Sequence, residues 1–92
     1  MPPSRTYDHD AIRFGGIVNR LRMERRWTLR YVAKLCGMNP TYLGLVERGE
    51  NVPSLTTILR LAAVMGVPAS ELLAEVELAK YGARAKKSPD GE

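Results

Sequence analysis

Apolar residues along the chain recur at three- and four-residue spacing, and each run is bracketed by residues that start or stop helices. Phe14, Ile17, Val18 and Leu21 form the first stripe, in a helix expected near Asp10 to Arg25 and capped by Asp8 or Asp10. Trp27 stands just before Thr28, which can cap a second helix with Val32, Ala33 and Cys36 on one face. Gly37 stops that helix, because glycine enters the left-handed region without strain. Asn39 and Pro40 are suited to the cap and first position of a third helix, with Leu43 and Val46 inward and an end at Arg48 and Gly49. Ser54 caps a fourth, whose apolar positions read Leu55, Ile58, Leu59, Ala62 and Met65, with Gly66 as its stop. A fifth starts around Pro68 and runs to Ala83 or beyond. The pattern predicts an all-α, compact five-helix bundle over residues 10–84. Residues 1–9 form a flexible N-terminal arm in this reading, and residues 85–92 a disordered polar tail.

Two adjacent glycines interrupt this pattern. Gly15 and Gly16 weaken the first helix by about 1 kcal/mol each relative to alanine. Close approach of another helix accounts for such a pair where propensity cannot.

Ala33, Gly37 and Leu43 stand at the spacing of a helix-turn-helix: a small residue where two helices cross, a glycine in the turn, and an aliphatic that locks the second helix. From about Phe14 to Leu73 the chain resembles the Cro/XRE-type repressors of bacteria and phages. The resemblance includes Glu47, Arg48 and Gly49 at the end of the third helix, the run Val52 to Leu55, and MGVPASELL from Met65 to Leu73. It implies a lambda-repressor-like DNA-binding fold, with the helix-turn-helix in helices two and three. It also implies a structural pair between Glu47 and Arg22.

A helix inserted N-terminus first into the major groove presents its opening turns to base edges. The base-facing candidates are therefore Asn39, Pro40, Thr41, Tyr42, Gly44 and Leu45. Asn39 either caps its helix or bonds an adenine; Tyr42 either contacts DNA or packs half-buried. Thr28, Leu29, Arg30, Arg48, Asn51, Thr56 and Thr57 are the candidates for the phosphate backbone, helped by N–H groups at helix starts. Arg25 and Arg26 either join them or stay solvated. Leu29, Gly44 and Leu45 depart from the family's pattern, which more often has polar residues there. Apolar contact with a thymine methyl, readout of DNA shape, or a protein partner each fits that departure.

Charge sharpens the picture. The net charge is +4, but Arg13 to Arg48 holds eight basic residues against two acidic, and Gly49 to Ala79 holds one against four. The basic half coincides with the helix-turn-helix, as binding to phosphates requires. A single cysteine allows no internal disulfide, which fits a reducing cytoplasm, and Cys36 reads as a small core residue. No apolar run is long enough to cross a bilayer, and the start MPPSRTYDHD lacks the apolar core of a signal peptide. With one histidine, His9, and no zinc spacing, phosphate loop or carboxylate pair, no metal, cofactor or enzymatic activity is expected. The expected function is sequence-specific binding of double-stranded DNA and regulation of transcription, by repression unless an exposed patch touches RNA polymerase or another regulator. The alternative is a protein-interaction module or antitoxin-like adaptor on the same fold. Leu73, Val76 and Tyr81 are candidates for a homodimer face, with Leu72 assigned to the core; burial within one chain is equally open for Val76 and Tyr81. The expected location is cytoplasmic, at the nucleoid, with no membrane partner.

Overall fold

A computed structural model of the chain describes residues 8–81, with side chains as far as Ala79. The expectations for residues 1–7, for the continuation of the fifth helix to Ala83 or beyond, for the tail and for the Tyr81 side chain lie outside the described residues. Among the described residues there are five helices and no strand, in the order α1 (His9–Glu24), α2 (Leu29–Cys36), α3 (Pro40–Glu47), α4 (Leu55–Met65) and α5 (Ala69–Tyr81).

Caps set the boundaries. Asp8, rather than Asp10, caps α1 by accepting from Ala11 N at 3.0 Å, so the helix begins one residue earlier than expected. Thr28 accepts from Tyr31 N at 3.0 Å and Ser54 from Thr57 N at 3.1 Å. Asn39 Oδ1 accepts from Thr41 N at 2.6 Å. Gly37 leaves α2 at φ 69, so the chain reverses within three residues and α3 crosses α2 as a helix-turn-helix does. Arg26 takes the same left-handed region at φ 58 between α1 and α2, where it bears a strain glycine would not.

All five helices contribute to one core. Phe14 and Val18 of α1, Val32, Ala33 and Cys36 of α2, Leu43 and Val46 of α3, Leu61, Ala62 and Met65 of α4, and Leu72 of α5 form one buried cluster. Ile17 and Leu21 are half-buried at its margin, as is Trp27, whose ring meets Tyr31 edge-on at 5.5 Å. The apolar face of α4 differs from the expected one. Leu61 is fully buried and Ile58 half-buried, whereas Leu55 and Leu59 are 67% and 51% exposed. α4 is apolar on more than one side, so spacing alone could not say which stripe faces inward. Packing between α2 and α5 selects Ile58, Leu61, Ala62 and Met65.

Gly15 explains itself at the α1–α3 crossing: a β-carbon there would run into the carbonyl oxygens of Val46 and Glu47. Gly16 has nothing within 4 Å of such a carbon, so close approach accounts for one glycine of the pair and not the other. Among the described residues no single helix is long and apolar enough to cross a membrane.

Candidate nucleic-acid interface

α3 is anchored from behind. Arg22 Nε donates to Glu47 Oε2 at 2.8 Å and Nη2 to Oε1 at 3.0 Å, a two-pronged pair with side chains only 12% and 6% exposed. The third arginine nitrogen, Nη1, donates to Trp27 O at 2.8 Å, tying in the turn before α2. Asn19 adds an amide donor to Glu47 Oε1 at 2.9 Å. Hydrogen bonds to Glu47 push the Arg22 pKa further above its ordinary value, against the opposing pull of burial. No motif in the sequence marks Asn19, although it stands one helical turn before Arg22 and so shares its face. These contacts set the pose of α3 relative to α1 and α2.

The front of α3 is more sparing in chemistry than the sequence implied. Thr41 is fully available, and Pro40 and Leu45 are half-exposed beside it. Gly44 stands on the same side but is buried: its vacant β-carbon position lies 3.3 Å from Arg48 Nη1 and 3.5 Å from Leu29 Cδ2. Leu29 therefore packs over α3 and covers Gly44, which leaves that position no surface to present to a base. Tyr42 leans toward α4, with its hydroxyl 3.5 Å from Thr57 Oγ1, and Thr57 in turn lies 3.1 Å from Ser54 Oγ. Asn39 spends its carbonyl oxygen on the cap, leaving its amide N–H groups for other partners.

Around this front lie groups suited to phosphates. Arg30 and Thr56 are exposed, and Asn51 and Thr57 are half-buried where α4 begins. The opening N–H groups of α2 and α4 carry the positive end of each helix dipole. Arg48 is exposed but paired, with Nε donating to Glu50 Oε2 at 3.0 Å. Arg25 is engaged inside the fold, donating to Leu21 O at 2.9 Å and Met65 O at 2.8 Å, so it holds α1 to the end of α4. Arg20 reaches both carboxylate oxygens of Glu75 on α5. Four of the eight basic residues from Arg13 to Arg48, namely Arg20, Arg22, Arg25 and Arg48, thus have partners within the domain. Arg26, Arg30 and Lys34 are exposed with no ion pair among the described residues.

Leu73 and Val76 line an open groove of about 230 Å³ together with Phe14, Val52, Pro53 and Ile58. Cys36 is away from both surfaces, 6% exposed with Sγ 4.0 Å from Arg60 O, and burial raises its thiol pKa.

A family model described as helix-turn-helix matches residues 18–72, and the chain belongs to that family, the helix-turn-helix transcriptional regulators of the Cro/XRE type. An uncharacterized HTH-type transcriptional regulator of Sinorhizobium fredii is 34% identical over 65 residues, 71% of this chain and 84% of that protein. The HTH-type transcriptional regulator SutR of Escherichia coli is 32% identical over 61% of this chain, which spans only 32% of its length. Among solved structures, the restriction-modification controller protein C.AhdI from Aeromonas hydrophila superimposes with a TM-score of 0.68 at 34% identity, covering 71% of this chain and 98% of that one. These relatives are regulators rather than enzymes.

Proposed function

We propose that this domain binds double-stranded DNA sequence-specifically, with the start of α3 in the major groove, and represses transcription by occupying its site. The observation that carries the reading is the pose of α3. Its C-terminal end is anchored by the partly buried Arg22–Glu47–Asn19 cluster, while Thr41 and Leu45 stay on the open side. Thr41 can offer a hydroxyl to a base edge, and Leu45 an apolar surface to a thymine methyl. Arg30, Arg48, Asn51, Thr56 and the starts of α2 and α4 would hold the phosphates on either side. Its place of action would be the bacterial or phage-host cytoplasm.

A second copy completes the proposal, since two half-sites one helical turn apart need a two-fold partner. Leu73 and Val76, with exposed Val52 lining the same groove, supply the apolar surface for it. Sedimentation at micromolar concentration should give a dimer mass; a monomer with and without DNA would refute this part.

One observation favours a different reading. The Leu29–Gly44 contact removes two positions that could have carried hydrogen-bonding side chains, so the same front suits an apolar protein partner. Selection from a pool of random duplexes separates the two. Base readout predicts an enriched, two-fold motif, whereas an interaction module predicts no motif and binding that vanishes at moderate salt.

A further inference from the structure

The turn after α3 fixes Glu50 through the backbone. Gly49 sits at φ 76 against α1, where a β-carbon would lie 2.6 Å from Ile12 Cα. Glu50 N then donates back to Leu45 O at 2.9 Å. From this position its carboxylate takes Arg48 Nε at 3.0 Å. The guanidinium lies back along α3, with Nη1 over Gly44 and Leu29 on the other flank. A side chain at 44 would crowd the guanidinium from this seat. Both members of the pair remain in solvent, 59% and 55% exposed.

Arg48 is one of the cations assigned to the phosphate backbone, and the role of Glu50 rests on that reading. A paired arginine and glutamate carry no net charge, so together they displace no counterion from DNA. If Arg48 turns to a phosphate oxygen, Glu50 loses its partner and is left close to the polyanion. We infer that Glu50 limits the affinity of the DNA interface by competing with phosphate for Arg48. The competition is indifferent to sequence, because phosphates are the same at every site. It lowers backbone binding on all duplexes and raises the share of affinity that base contacts supply. An exposed pair is weak enough to open on the DNA surface, which makes it an adjustable device rather than a permanent block.

The test uses the full chain, a random-sequence duplex and a salt titration read by fluorescence anisotropy. Glu50→Gln keeps the shape and an acceptor oxygen but removes the charge, and thermal melts establish that each variant folds. Glu50→Gln should tighten binding about two- to five-fold at low salt, the range an exposed pair spans. It should also steepen the dependence of log K on log salt by about one ion. In an Arg48→Ala background the same substitution should change binding far less, which isolates the coupling between the two residues. Equal tightening in both backgrounds would mean that Glu50 acts only as a distant charge, and weaker binding would mean that it positions Arg48; either overturns the inference. Binding by the unsubstituted chain that Glu50→Gln leaves unchanged would also overturn it, with the DNA reading intact. No duplex binding by the unsubstituted chain at any salt would overturn both.

Discussion

Glu47 and Arg48 are neighbours in the chain, and each belongs to an arginine–glutamate pair, yet the two pairs differ in exposure and in the number of bonds that hold them. Arg22–Glu47 lies behind α3 at 12% and 6% exposure, is two-pronged, and shares its atoms with Asn19 and the Trp27 carbonyl. Arg48–Glu50 lies in front, more than half exposed, with a single contact of 3.0 Å. Partial burial makes the first pair a structural joint, since either charge left without its partner there would be poorly solvated. Exposure makes the second exchangeable, because water and salt compete for both ends. One end of one short helix thus carries both a fixed anchor and a labile charge.

The largest effect should come from breaking the anchor. Glu47→Ala strands the Arg22 guanidinium and should cost about 3–5 kcal/mol, a large part of the roughly 5–10 kcal/mol expected of a domain this small. Urea denaturation would show it, and a loss below 1 kcal/mol would make the two pairs equivalent after all. Next comes the crossing beside the anchor. Gly15→Ala forces a methyl against backbone carbonyls that cannot rotate away, so a loss of about 1–3 kcal/mol or more is expected. Its neighbour should respond with the opposite sign. Gly16→Ala meets no atom within 4 Å and should stabilise the domain by up to about 1 kcal/mol through helix propensity. Melting curves of the two variants that moved in the same direction would remove the distinction between the packed and open sides of α1. The smallest effect on stability belongs to the front pair. Arg48→Ala should shift unfolding by less than about 0.5 kcal/mol, while weakening DNA binding on all sequences. In a Glu50→Gln background, where Arg48 has lost its charged partner, it should also flatten the salt dependence by about one ion. An unchanged salt slope there would take Arg48 out of the interface.

Much of the scaffold could be read directly. Caps at Thr28, Asn39 and Ser54, the stops at Gly37 and Gly66, and the small–glycine–aliphatic spacing of Ala33, Gly37 and Leu43 are local signals, each decided by a few neighbouring residues. The Arg22–Glu47 contact was legible only through family resemblance, because nothing local to either residue joins positions 25 apart. The site was less legible. Gly44 shares α3's outer stripe with Thr41 and Leu45 by sequence spacing, but Leu29 from another helix covers it. Arg25 and Arg48 look alike as charges. One is spent on the carbonyls of Leu21 and Met65, and the other stays in solvent beside Glu50.

By itself the sequence determined which segments are helical, where α2, α3 and α4 start and stop, and that α2 and α3 meet in a helix-turn-helix, since caps, turns and periodicity act over a single turn of chain. Only the tertiary structure decided which stripe of α4 is buried, which of two adjacent glycines is indispensable, and which arginines remain free to meet a polyanion. Those outcomes depend on what the facing helix places opposite each residue, and one-dimensional spacing contains no record of that.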